Sequence, residues 1–212
     1  MTVRKWANVA VAMESAAATP ISISAIAVNA TCTLTATNSY SHGDYIVLVV
    51  SSMYQLNGKV VRVSSVSGSN FVAEGIDSST FSAFSSGTCS KLTFGSSITT
   101  ATSMSGSGGD FDFIDVTTIH GNVKAQIPGL ANPITYTFDN LWDIADTGQI
   151  AMKAATDAQA QKAFKFTFGT GGPIMVFSGY VGFTGSPGGN AQDKVTSQAV
   201  ITAFGTPTYY SS

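Results

Sequence analysis

Charge is what this sequence has least of. Only 10% of its 212 residues are charged, where about 25% is usual for a soluble domain. Charge keeps copies of a soluble protein apart. A surface so poor in it is expected to be covered, in large part, by other subunits. The net charge is −2 and no run of Lys or Arg occurs, which argues against tight nucleic-acid binding. The two cysteines, Cys32 and Cys89, make no disulfide framework. They fit either a late pairing or two buried thiols, and a reducing cytoplasm favours the thiols. No run of about 18 apolar residues exists, so no membrane-spanning helix is expected. Beyond Met1-Thr-Val-Arg-Lys5, Asn8 and Glu14 interrupt the apolar residues, so no signal peptide is legible. The expectation is a chain made and kept in a cytoplasm until it assembles.

Catalytic constellations are also missing. The two histidines, His42 and His120, each sit beside a glycine, and neither has a nucleophile or carboxylate at a spacing that implies a triad. Gly169-Thr-Gly-Gly172 lacks the Gly-Lys-Ser/Thr ending of a phosphate loop, and a strand pattern comes after it where a helix should. Hairpin turn is the better reading. Asp110, Asp112 and Asp115 only partly match a calcium loop, with no glycine at the sixth position and no closing glutamate. No cofactor, no metal and no enzymatic activity are expected.

What remains is β pattern. The length allows one large or two small domains. Arg4–Met13 alternates as a strand, and Ser15–Pro20 reads as a small-residue linker. Ile21–Phe94 changes character, with short strands at Ser22–Val28, Thr31–Ala36, Tyr45–Val50, Lys59–Ser65, Asn70–Ala73 and Cys89–Phe94. Turn residues punctuate them at regular intervals, as in a small all-β module. Ser96–Ser105 and Asp110–Ile119 read as further strands around the break Gly106-Ser-Gly-Gly109. His120–Pro133 reads as a long loop, and loops of that length are usually functional. Ile134–Phe138 alternates, Asn140–Asp143 turns, and Asp146-Thr-Gly-Gln149 has the spacing of a capping box. A helix of roughly four turns comes next, with Ile150, Ala154, Ala158 and Gln161 recurring on one stripe and Ala151 and Ala155 widening it. Phe164–Phe168 and Ile174–Ser178 form a hairpin across the glycine turn.

The order of the last third carries a resemblance. Phe166, Phe168, Val176, Phe177, Gly179, Tyr180, Val181, Val195, Val200, Ile201, Phe204, Gly205 and Pro207 stand in an arrangement similar to that of the tail tube proteins of long-tailed, lambda-like bacteriophages. The likeness is one of pattern and element order over about residues 96 to 208. His42-Gly-Asp-Tyr45, Tyr54–Gly58, Asn70-Phe71 and Gly75-Ile-Asp77 resemble a small β-barrel module found in phage structural proteins. The resemblance implies a mainly β fold: a tail-tube β-sandwich with one flanking helix, built from residues 1–18 and 95–212. A small all-β domain, 19–94, is inserted after the first strand, so its two ends must lie close together.

The same resemblance implies a function. Six copies would form a ring, and rings would stack into a hollow tube that conducts the genome. The partners implied are other copies of the chain, a tape measure protein, and tail terminator and tail tip proteins, with DNA only passing through. The loop, with His120, Gly121, Asn122, Val123, Lys124, Gln126, Ile127 and Pro128, would pack against neighbouring subunits. Sliding DNA calls for an acidic, polar channel, because Lys or Arg would bind phosphate. Asp110, Asp112, Asp115 and Asp193 are the candidates for that lining. The candidate lining strands are Ser96–Ser105, Asp110–Ile119, Lys162–Phe168 and Asp193–Thr202. The module would sit outside the tube, and a deletion joining Ala18 to Gly95 would still assemble. A secreted adhesin or carbohydrate-binding β-sandwich is the alternative that the Ser/Thr/Gly-rich composition also fits.

Overall fold

A computed structural model describes residues 8–211. The part of the first expected strand at residues 4–7 lies outside them. The chain begins with β1 (Val9–Met13), β2 (Ala16–Ala17), β3 (Ile21–Ile26), β4 (Thr33–Ala36), β5 (Tyr45–Val50), β6 (Val60–Ser67), β7 (Asn70–Ala73) and β8 (Gly87–Thr93). It continues with β9 (Ser96–Ile98), β10 (Ala101–Ser107), β11 (Phe111–Asp115), β12 (Gln126–Ala131) and β13 (Thr135–Leu141). Helix α1 (Thr147–Asp157), β14 (Gln161–Phe168), β15 (Ile174–Gly182) and β16 (Thr196–Tyr210) complete it.

The strands between residues 16 and 93 close on themselves. Their order is β2-β8-β3-β4-β7-β6-β5, and β5 also pairs with β8, from Tyr45↔Leu92 to Val50↔Gly87. Six strands therefore form a small barrel, which removes free edges. Its core holds Leu34, Ile46, Leu48, Met53, Leu56, Val61, Val63 and Phe71, with both cysteines as buried free thiols. Burial raises the pKa of each thiol. The expected linker is partly strand. β2 pairs Ala16↔Thr93 and Ala17↔Leu92, so the chain enters and leaves the barrel side by side.

The second sheet runs β10-β13-β16-β15-β14-β1-β9. Its outer strands, β9 and β10, are separated in sequence only by Thr99 and Thr100. So short a link spans about 10 Å, so the sheet must roll until its two edges approach each other. The expected single strand Ser96–Ser105 is thus two strands on opposite edges, broken where the Thr100 carbonyl accepts the amide of Leu141. Inside the roll, Phe138, Phe164, Phe166, Phe177 and Tyr136 stack with ring centroids 4.9 to 5.8 Å apart. Such aromatic packing adds to plain area burial.

Helix α1 covers the mouth of this roll. Asp146 accepts from the Gln149 amide at 2.8 Å, as a cap should. The other half of the capping box differs. Gln149 turns its side-chain nitrogen to Thr100 and to the Leu141 carbonyl, tying the helix to the sheet. The helix has 11 residues, not four turns, and its buried residues are Gly148, Gln149, Met152 and Ala155. The expected stripe is corrected: Ile150, Ala154 and Ala158 are exposed, and Gln161 already belongs to β14. Met152 and the close backbone approach at Gly148 set the orientation. A Cβ at Gly148 would stand 2.4 Å from the Ser97 carbonyl oxygen. Nor does the chain turn at Asn140, because β13 continues to Leu141 against Thr196.

The barrel packs on the outer face of β14, β15 and β16. Val60 and Leu92 meet Ala163, Val176 and Tyr210 in a shared apolar cluster. Arg62 lies over the Tyr210 ring and donates its backbone N–H to the phenol oxygen. Lys165 lies over Tyr45 and Phe94. Ser178 donates to the Gly58 carbonyl.

Candidate assembly surfaces

The region expected to be a loop is half strand. β12 pairs with β11 as a two-stranded sheet that joins neither of the others. Its root is a tight crossing. Gly108 and Gly109 adopt φ of +88° and +86°, a region open to glycine and costly for other residues. A Cβ on Gly108 would lie 2.2 Å from the Pro133 carbonyl oxygen. The Gly109 N–H donates to the Asn132 carbonyl, and the Asn132 N–H to the Asp110 carbonyl.

This arm has no core. Phe111, Phe113, Ile114, Val116, Ile119, Val123, Ile127 and Leu130 are all exposed. Register sets Ile114 beside Ile127 and Phe113 beside Pro128, so neighbouring rungs present apolar groups on opposite faces. A lone hairpin is marginally stable in water, and a contiguous apolar surface marks an interaction site. Of the expected contact residues, His120, Gly121, Asn122, Val123 and Lys124 form the tip, while Gln126, Ile127 and Pro128 lie on β12.

The acidic candidates divide. Asp110, Asp112 and Asp115 stand on the arm or at its root. Asp112 accepts from the Asn132 side-chain amide at 3.3 Å. Asp115 is held below the usual carboxylate range by hydrogen bonds from Thr117, and Lys124 lies 3.5 Å away. Asp193 is in a turn before β16, where its carboxylate accepts from the Lys194 amide. Among the described residues no group of three His, Cys, Asp or Glu could hold a metal ion.

Two strands expected to line a channel, Ser96–Ser105 and Asp193–Thr202, flank β13, which was not among those candidates, and the three share one polar face. On β13, Tyr136 and Phe138 point into the roll, so Thr135, Thr137 and Asp139 face out. Asp139 accepts from Ser103 on β10 at 2.7 Å and from Gln198 on β16 at 3.2 Å, bonds that lower its pKa. The outward face of β10-β13-β16 is therefore mostly Ser, Thr and Gln, with one acid and with Val200 opposite Thr137. The alternation Thr-Tyr-Thr-Phe-Asp was its sequence signal. The outward face of β14, by contrast, lies against the barrel at Ala163 and Lys165.

The structure is thus a mainly β protein that bears an exposed apolar arm without a core of its own. The chain belongs to the phage tail tube protein family, whose model matches residues 51–212. It is a structural component of the phage tail, hence of the virion, and not an enzyme. No curated protein matches it. Among solved structures, the tail of an empty GTA particle, obtained by helical refinement with C6 symmetry, is similar at 12% identity. That likeness covers 57% of this chain and 87% of the other, with a TM-score of 0.43.

Proposed function

We propose that six copies of this tail tube subunit form a ring and that stacked rings make the hollow conduit of a long, non-contractile tail. The arm carries this reading. Eight exposed apolar side chains within residues 111–130 need cover that the chain itself does not supply. Head-to-tail contacts close into rings or continue as filaments, and either would supply it. Assembly takes place in the host cytoplasm. A tape measure protein and tail terminator and tip proteins complete the tail with the tube. Residues 19–94 act as an inserted unit on the outside of the tube, separate from 1–18 and 95–212.

The channel wall in this reading is polar and acidic. The outward face of β10-β13-β16 suits it, because its strands present Thr, Ser, Gln and Asp139 there, with Lys194 beside Asp139 offsetting part of the negative charge. Asp110, Asp112, Asp115 and Asp193 add negative charge near its borders. DNA then passes without the phosphate contacts that release counterions and bind. Electron microscopy of the purified protein tests the reading. Rings or tubes with an axial hole are expected, and featureless monomers at every concentration would refute it.

A further inference from the structure

Strand β16 is interrupted where the barrel meets it. Its register against β15 passes from Ser178↔Phe204 to Val176↔Thr208, so two steps on β15 stand against four on β16. The extra residues form a bulge, and a bulge leaves backbone groups outside the ladder. Gly205 takes φ of +76° there, and Pro207 has no N–H to donate. A cation from the barrel reaches the residue between them. Lys59 Nζ donates to the Thr206 carbonyl at 3.3 Å and to the Thr206 hydroxyl oxygen at 3.2 Å.

The donor is preset by the barrel itself. The Gly58 N–H donates to the Leu48 carbonyl at 2.7 Å and the Lys59 N–H to the Leu56 carbonyl at 3.1 Å. The Asn57 side-chain oxygen accepts the Val50 amide at 3.1 Å. Gly58 has φ of +71°, and a Cβ there would stand 2.5 Å from the Phe204 ring. Its carbonyl accepts from Ser178, which in turn accepts from Gln161 at 3.0 Å. Gly58 thus meets the sheet beside the bulge, and Lys59 meets the bulge.

A cation in this place has a cost. Burial lowers the pKa of Lys59, and among the described residues no carboxylate pairs with it. Desolvating an unpaired ammonium is unfavourable, and Met would fill the space without that cost. What Met lacks is direction. The apolar cluster between barrel and sheet attracts without fixing an angle. Directed contacts fix one body on another only at three points off a line. Glu14, where the chain enters the barrel, accepts the Ala163 amide of β14 at 3.0 Å. The Arg62 amide bonds Tyr210 near the end of β16. These two points leave a rotation about the line that joins them. Thr206 lies on β16 away from that line. We infer that the turn Asn57-Gly58-Lys59 is a latch that sets the orientation of the barrel, with Lys59 as its positioning residue. The barrel is then a fixed ridge on the subunit and not a tethered domain, although small domain interfaces ordinarily permit relative motion.

Spin-label distances test the latch. Ser69→Cys on the barrel and Ser105→Cys on β10 replace exposed serines. A chain without them corrects for Cys32 and Cys89, which are buried. Diluting the labelled chain into an excess of unlabelled wild type restricts the reading to distances within one chain, free or assembled. The otherwise wild-type chain should give a single narrow distribution. Lys59→Met should widen it at least about twofold, as a freed domain interface does, while Lys59→Arg, which keeps the charge and the donors, should leave it narrow. A residue that only added stability would lower the melting temperature and leave the width unchanged. Thr206→Val removes the hydroxyl acceptor at an exposed position and should widen the distribution even if Lys59→Met does not fold. A broad distribution in the otherwise wild-type chain, or an unchanged width in whichever of these two variants folds, overturns the latch.

Discussion

Asn140 is fully buried in β13, and among the described residues neither atom of its side-chain amide has a partner. It faces Ser197, whose hydroxyl is likewise unpartnered. Buried polar groups without hydrogen bonds cost stability, and an apolar group of similar shape avoids that cost. Asn140→Leu is therefore expected to stabilise the chain by about 1 kcal/mol, read as a higher urea midpoint with an unchanged slope. A lower midpoint would mean that Asn140 serves the fold in another way. Glu74 offers a pH test. Two bonds from Arg62, each 2.6 Å, lower its pKa from the ordinary 4.5. A depressed carboxylate stabilises above its unfolded pKa, and that contribution is lost as pH falls through the folded value. Glu74 is partly exposed, so the effect should stay below about 1 kcal/mol. Denaturation from neutral pH down through the carboxylate range should show a shallower acid loss for Glu74→Gln than for wild type. Parallel curves would reject the linkage.

At the scale of elements, the arm and the polar face make separate demands. The arm is backbone-paired but buries almost nothing, so its amides should exchange fast in the monomer and slowly in the tube. Hydrogen exchange over residues 111–131 measures the difference. Equal, strong protection in both forms would show that the arm is stable alone. The polar face answers to charge. Asp139→Lys with Asp193→Lys should leave tubes assembling but slow DNA ejection, most at low salt, where the Debye length is long. Ejection at the wild-type rate at low ionic strength would mean that these acids do not repel the DNA.

For the whole molecule, the question is how far the barrel is separable. Its ends meet at the β2–β8 pairing, which suits an insertion. Yet it covers Ala163, Val176 and Tyr210 on the second sheet. Joining Ala18 to Gly95 would expose that patch, and exposed apolar patches promote aggregation. The bare deletion is expected to be poorly soluble. The same deletion with Val176→Thr and Tyr210→Thr should be recovered as soluble protein and form tubes under the electron microscope. Soluble but non-assembling protein would make the barrel a working part of the ring.

Periodicity and turn chemistry are local, and they were legible. Tyr45–Val50 and Asn70–Ala73 were bounded to the residue, because alternation and flanking Asn, Gly or Asp act within a few positions. The Asp146 cap was legible for the same reason. The long order of the last third was enough to point to the tail tube family. Tertiary structure decided whatever depends on residues far apart in the chain. The sequence could not tell that Thr99 and Thr100 cross from one edge of a rolled sheet to the other, since strand pairing is set by distant partners. Which helix stripe is buried was decided by Gly148 against β9 and Met152 in the core, not by the tally of small residues. The pairing of β12 with β11 stayed hidden because Pro128 and Gly129 weaken its strand pattern. The hydrogen bond from Trp142 to the Gly185 carbonyl was hidden because its partners stand 43 residues apart in sequence. Local pattern selects elements, and the packing of distant side chains selects which of their faces remain for a partner.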